Sequence, residues 1–148
     1  MRLNSSQLIL IVEDSDEDYE ATIRAFSKSS LRNPVFRCAD GNDALDYVFS
    51  RGNYTDKEKF PRPGIILLDL NLPVTNGREV LKHIKKDPAT KKIPVIVLTT
   101  SDDKVDIMQC YDEGANSYIH KPVDLIRFME AIERLREYWF EIVILPKE

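Results

Sequence analysis

A run of apolar residues, Ile65-Ile66-Leu67-Leu68, ends in Asp69, and a turn follows at Leu72-Pro73. A second run, Leu8-Ile9-Leu10-Ile11-Val12, ends in Glu13-Asp14. Val95-Ile96-Val97-Leu98 leads into Thr99-Thr100-Ser101, and a shorter segment closes on His120-Lys121-Pro122. Four strand-like segments therefore finish in three carboxylates, several hydroxyls and a lysine. Parallel α/β sheets build their sites at the carboxyl ends of their strands. Carboxylates gathered there beside a cation could bind a divalent metal, because hard cations prefer oxygen ligands. They could also do phosphoryl chemistry, because a carboxylate is a competent nucleophile.

The rest of the chain supplies elements to position those residues. Apolar segments near 8–12, 35–38, 65–68, 95–99 and 117–119 alternate with helical periodicities. Tyr19, Ile23 and Phe26 share one helical face; Leu45, Val48 and Phe49 mark a second helix, and Val80, Leu81 and Ile84 a third. Val105 and Met108 mark a weaker fourth, and Leu125, Phe128, Met129, Ile132, Leu135 and Trp139 form a long stripe on a fifth. Ser15 with Asp18, and Asp40 with Asp43, have the spacing of helix caps. This alternation predicts an α/β fold: a five-stranded parallel sheet with helices on both faces. The polar stretch from Ser50 to Pro63 reads as a long loop between the second helix and the third strand. The tail Phe140-Glu141-Ile142-Val143-Ile144-Leu145-Pro146 is too apolar to leave in water and reads as a docking element for a second protomer.

Composition narrows the function classes. The 148 residues fit one domain, read as 1–148 with the tail 140–148 as its possible dimerisation element. Net charge is −4, which argues against an electrostatic nucleic-acid partner. No apolar stretch approaches the ~20 residues of a membrane span, and no signal peptide is evident, so a cytoplasmic location is expected. Cys38 and Cys110 read as reduced, buried thiols, and His83 and His120 lack zinc-ligand spacing.

Taken in order, Glu13-Asp14, Asp69-Leu70-Asn71-Leu72-Pro73 with Gly77, Thr99, and Tyr118-Ile119-His120-Lys121-Pro122 resemble the receiver domain of bacterial two-component response regulators. The match spans roughly residues 7 to 138 and implies a flavodoxin-like (CheY-like) receiver fold. By that resemblance Asp69 is the phosphoacceptor, taking a phosphoryl group from a histidine kinase. Mg2+ is held by Asp14, Asp69 and the Asn71 carbonyl, with Glu13 further out through water. Lys121 pairs with the phosphoryl oxygens and Thr99 donates its hydroxyl to one of them. Tyr118 is the switch aromatic, and the Lys121–Pro122 peptide is expected to be cis. The family more often has Asp where this chain has Glu13, a change expected to tune the metal geometry. The loop at 50–63, the Thr99-Thr100-Ser101 run and Tyr138-Trp139-Phe140 further resemble stand-alone regulators that serve cyanobacterial phytochrome kinases.

The resemblance implies a phosphoacceptor signalling switch, with output through protein–protein contact or a homodimer. Such a protein is not an enzyme in the usual sense, although it catalyses its own phosphoryl transfer and a slow dephosphorylation. Two other readings compete. A haloacid-dehalogenase-like phosphohydrolase also uses an aspartate after a parallel strand, but needs a second aspartate where this chain has Asn71. A receiver-fold adaptor that is never phosphorylated would not need Asp14, Asp69, Thr99 and Lys121 together.

Overall fold

Burial on both faces explains why the strands read as unbroken apolar runs. The computed structural model describes residues 7–28, 33–100 and 103–121, together with 126, 127 and 130. Its strands are β1 (Leu8–Val12), β2 (Val35–Cys38), β3 (Pro63–Asp69), β4 (Val95–Thr99) and β5 (Ser117–His120). They form one sheet in the order β2-β1-β3-β4-β5, with every neighbouring pair parallel. The helices between them are α1 (Asp16–Ser27), α2 (Gly41–Val48), α3 (Gly77–Lys86) and α4 (Lys104–Asp112). From β1 to β5 the expected strand–helix alternation is therefore present, and the strand order is the flavodoxin-like one.

Side chains alternate across each strand, so the sheet separates two cores. Ile9, Ile11, Ile65, Leu67, Ile96, Leu98 and Ile119 face α1 and meet Phe26, with Tyr19 and Ile23 against them. Leu10, Val12, Ile66, Leu68, Val95 and Val97 face the other way and meet α2, α3 and Cys110 of α4. Each helix starts at a side-chain cap: Ser15, Asp40, Asn76 and Asp103 each accept a backbone N–H of the first turn.

Val105 and Met108 lie in α4, the weaker helix they mark, but on its exposed side: they are 60% and 63% exposed, and Cys110 is the helix's buried residue. The first turns of α4 lie beside the ends of β3 and β4, where Asp106 lines a hollow with Asn71 and Thr99, so Val105 and Met108 do not reach the sheet. The 50–63 segment is also less polar in effect than in composition. After a 3-10 turn at Gly52–Tyr54, its Tyr54 and Phe60 join Phe36 and Tyr47 in a ring cluster with centroids 4.9–6.0 Å apart. The Tyr54 hydroxyl donates to Asp43 at 2.9 Å and the Tyr47 hydroxyl to the Pro61 carbonyl at 3.0 Å. The fifth helix is described only at Ile126, Arg127 and Glu130, which are helical. All six residues of its stripe, Ser101, Pro122 and the tail lie outside the described residues.

Both cysteines are free and buried, as the sequence suggested. Burial, then the neighbouring Asp43, pushes the Cys38 thiol well above its usual range, and burial pushes Tyr47 up to about 12. Burial acts oppositely on Lys85, pulling it down to about 8. Above pH ~8.5 the unfolded thiol ionises while the native one keeps its proton, so Cys38 makes stability fall as pH rises. Between about 8 and the ordinary lysine value of about 10.4 the unfolded chain holds the extra proton at Lys85, so that group makes stability rise. Lys85 offsets part of the thiol effect until it is neutral in both states, after which the cysteines and Tyr47 dominate. Burial raises Cys110 as well, so two thiols act against one lysine, and urea midpoints are expected to fall above about pH 8.5 and more steeply above about 10. In Cys38→Ala the fall through the same window should be shallower, since Cys110 alone then opposes Lys85. Parallel pH profiles for the two proteins would contradict this account.

Candidate functional site

Strand parity decides where the polar residues at the sheet's carboxyl edge point. Glu13 follows Ile9 and Ile11, Asp69 follows Ile65 and Leu67, and Lys121 follows Ile119, so all three fall on the α1 face. Thr99 and Tyr118 have the opposite parity and fall on the α3–α4 face, where Tyr118 packs half-buried against the larger core. The carboxylates gather where β1 and β3 lie side by side and the crossovers diverge, the switch point at which open α/β sheets bind ligands.

Lys121 brings the cluster together. Its Nζ donates to Glu13 Oε2 at 3.1 Å, Asp69 Oδ2 at 3.1 Å and Asp18 Oδ2 at 2.8 Å. The lysine is 8% exposed, Glu13 and Asp69 are buried, and Asp14 faces solvent. The second Asp69 oxygen accepts the Asn71 backbone N–H at 3.1 Å, which fixes the carboxylate plane. A hydrogen bond from Lys121 N to Thr99 O at 2.7 Å ties the end of β5 to β4. Gly77 completes the frame. A Cβ there would lie 2.2 Å from the Asp69 carbonyl oxygen, so only glycine lets α3 start this close to the end of β3.

The electrostatics follow from burial. Lys121 loses solvation, which lowers its pKa, but the hydrogen bonds to Asp18 and Glu13 and the charge of Asp69 outweigh that and raise it. It is an ammonium at any physiological pH. Burial raises the Glu13 pKa, and Lys121 only partly pulls it back.

The residues fit a divalent cation. Glu13, Asp14 and Asp69 each offer an oxygen, and these oxygens lie within 4.8 Å of one another. With Asp18, four carboxylates gather around one ammonium, and three of them share its N–H groups, so positive charge is in deficit. Glu13 Oε1 is buried and accepts no hydrogen bond among the described residues. Lys121 Nζ is 2.9 Å from it but aligned only on Oε2, so Oε1 has a charge beside it and no proton aimed at it.

A hollow of about 250 Å³ adjoins the end of β3 on the opposite face, lined by Leu70, Asn71, Asn76, Arg78, Thr99 and Asp106. Arg78 is held there by Glu113 at 2.9 Å, linking α3 to the end of α4. The structure thus brings together Glu13, Asp14, Asp69, Lys121 and the Asn71 backbone. Thr99 stands at the hollow's edge, and Tyr118 lies behind it on β5. Sequence reading missed the Asp18 carboxylate, which it had used only as a cap, and it missed Arg78. Charged residues in first helical turns near a strand end were the available signal.

The family model for the response regulator receiver domain matches residues 9–133. The chain belongs to the response regulator receiver family. This receiver is 38% identical to Response regulator Rcp1 of Synechocystis sp. over 143 residues, covering 97% of this chain and 95% of that protein. It resembles the phosphorylated cyanobacterial phytochrome response regulator RcpA at a TM-score of 0.77 and 38% identity, covering 96% and 99% of the two chains. It resembles the Mn(2+)-bound form of Rcp1 at a TM-score of 0.75 and 38% identity, covering 95% and 99%. The receiver is therefore a response regulator of phosphorylation-based two-component signalling, homologous to phytochrome response regulators, and not a classical enzyme. Receivers work with histidine kinases and bind a divalent metal, and the phosphohydrolase and unphosphorylated-adaptor readings are not favoured. No helix among the described residues is long and apolar enough to cross a membrane.

Proposed function

We propose that Asp69 is the phosphoacceptor of this receiver and that Mg2+ is its metal. The observation that carries this is the buried Asp69 carboxylate, fixed by Asn71 N–H on one oxygen and Lys121 on the other beside Glu13 and Asp14. An oxygen of Asp69 attacks the phosphorus of a phosphohistidine; the O–P bond forms as the P–N bond breaks, and the imidazole leaves. Asp14, Asp69 and the Asn71 carbonyl, with Glu13 behind them, would hold the cation, which supplies counter-charge for the transfer. Lys121 neutralises the phosphoryl oxygens as a point charge. Thr99 donates its hydroxyl once Asp69 is modified, and Tyr118, packed on the same face, carries that movement toward α4 and β5.

The phosphodonor in this reading is a phytochrome-type histidine kinase, and signalling runs through a homodimer with the 140–148 tail as its dimerisation element. Slow self-catalysed dephosphorylation returns the switch, and the cytoplasm is its compartment. Similarity to phytochrome response regulators over nearly the whole chain supports the partnership.

The test is phosphate incorporation from a small phosphodonor, with Mg2+ and with chelator, followed by peptide mapping. Mg2+-dependent, base-labile label on the peptide carrying Asp69 is the expected result. Label elsewhere, or label indifferent to chelator, contradicts the assignment.

A further inference from the structure

The three carboxylates that share Lys121 are not equivalent. An ammonium has three N–H donors, and here Glu13, Asp69 and Asp18 take all of them. Asp18 makes the shortest contact, 2.8 Å, yet its side chain is 44% exposed while the other two are buried. Its placement also departs from local habit. Asp18 is the third residue of α1, and in a capping box such a side chain turns back to the N-cap backbone N–H. That N–H, on Ser15, lies 3.3 Å from Glu13 Oε2 instead. Only half of the box forms, with Asp18 N donating to Ser15 Oγ, and the Asp18 carboxylate faces Lys121.

We propose that Asp18 is a positioning residue that restrains Lys121 while Asp69 is unmodified and competes with the incoming phosphoryl group for its ammonium. This rests on the reading of Asp69 and Lys121 given above. Because every N–H of Lys121 is engaged, an anion arriving at Asp69 can gain the lysine only if a present partner lets go. Freeing Glu13 would strand a buried carboxylate, which is costly. Freeing Asp18 returns a half-exposed carboxylate to water, which costs little. Asp69 loses its charge on modification and gives up one N–H; for the phosphoryl group to take a second, Asp18 is the partner that yields. An attraction present in the free state and lost in the loaded one subtracts from affinity for the loaded state. The Asp18 charge further opposes a second anion.

Beryllofluoride, an anionic phosphoryl mimic, tests this when titrated into the full chain at saturating Mg2+. Asp18→Asn and Asp18→Ala are expected to bind it about three- to fivefold more tightly, the size of a partly exposed ion pair. Asp18→Glu, which keeps the charge, should stay nearer wild type. In nitrogen-15 spectra the Lys121 ammonium protons should exchange faster in Asp18→Ala than in wild type. Urea unfolding, run alongside, separates a helix-capping role. Variants that lose stability while beryllofluoride affinity and ammonium exchange stay unchanged would overturn the proposal, as would weaker binding by Asp18→Asn. Failure of the wild type itself to bind would overturn the phosphoacceptor reading and, with it, this one.

Discussion

Asp69→Asn is expected to lose phosphoryl uptake from a small donor by at least ~10³-fold, because the amide removes the nucleophile on which every later step depends. The fold should survive the change. Asparagine keeps a carbonyl oxygen for the Asn71 N–H, and Lys121 keeps Glu13 and Asp18. Circular dichroism and the urea midpoint should therefore stay close to wild type while incorporation disappears. A variant that still took up phosphate with Mg2+ would show that Asp69 is not the acceptor. A variant that unfolded would show that Asp69 had been holding the end of β3 together.

Lys121→Met should have the largest effect on stability. Methionine fills the same space but removes the ammonium that Glu13, Asp18 and Asp69 share. Removing one partner of a buried ion pair leaves uncompensated charge and typically costs 3–5 kcal/mol, so a loss of about that size is expected without metal. Excess Mg2+ should then stabilise the variant more than wild type, since a ligand that binds only the native state stabilises it in proportion to its affinity. With the ammonium gone, a bound cation becomes the main counter-charge of the cluster. Thermal unfolding of both proteins, with Mg2+ and with chelator, measures this. An equal metal-dependent rise in the two would mean that Lys121 and the metal do not share the same carboxylates.

The frame of the molecule was legible because its strands are buried on both faces. Such strands are plain apolar runs, and the residue that ends each run is conspicuous. That is why Asp69, Glu13, Asp14 and Lys121 could be placed at one edge of a sheet before any coordinates. What sequence could not show was the direction of side chains that leave their local motif. Asp18 and Asp43 both stand three residues after a capping residue, and both look like capping-box partners. Their backbone N–H groups do bond the caps, but their carboxylates reach Lys121 and the Tyr54 hydroxyl across the fold. Local propensity cannot distinguish a carboxylate that turns back to its own helix from one with a stronger partner elsewhere. The faces of α4 were open in the sequence for a related reason. Two apolar residues at helical spacing mark a face, but only tertiary contact decides whether that face meets a core, and at Val105 and Met108 it does not.

The division of the two faces by strand parity constrains where this chain can change length. A single residue inserted within Pro63–Asp69 would turn Asp69 toward the α3–α4 face and Leu68 or its successor toward α1. Both cores would lose their fit and Lys121 would face a methyl group. The same insertion between Gly52 and Arg62 would be taken up by a loop at the opposite end of the strand, where the ring cluster around Phe36 and the Tyr47 and Tyr54 hydrogen bonds feel it and the carboxylate site does not. Among relatives of this receiver, gaps should therefore fall before Pro63 and avoid the seven residues of β3. The spacing between that strand and the start of α3 should be equally resistant, because even a Cβ at Gly77 would overlap the Asp69 carbonyl, which leaves no slack to absorb a residue more or fewer.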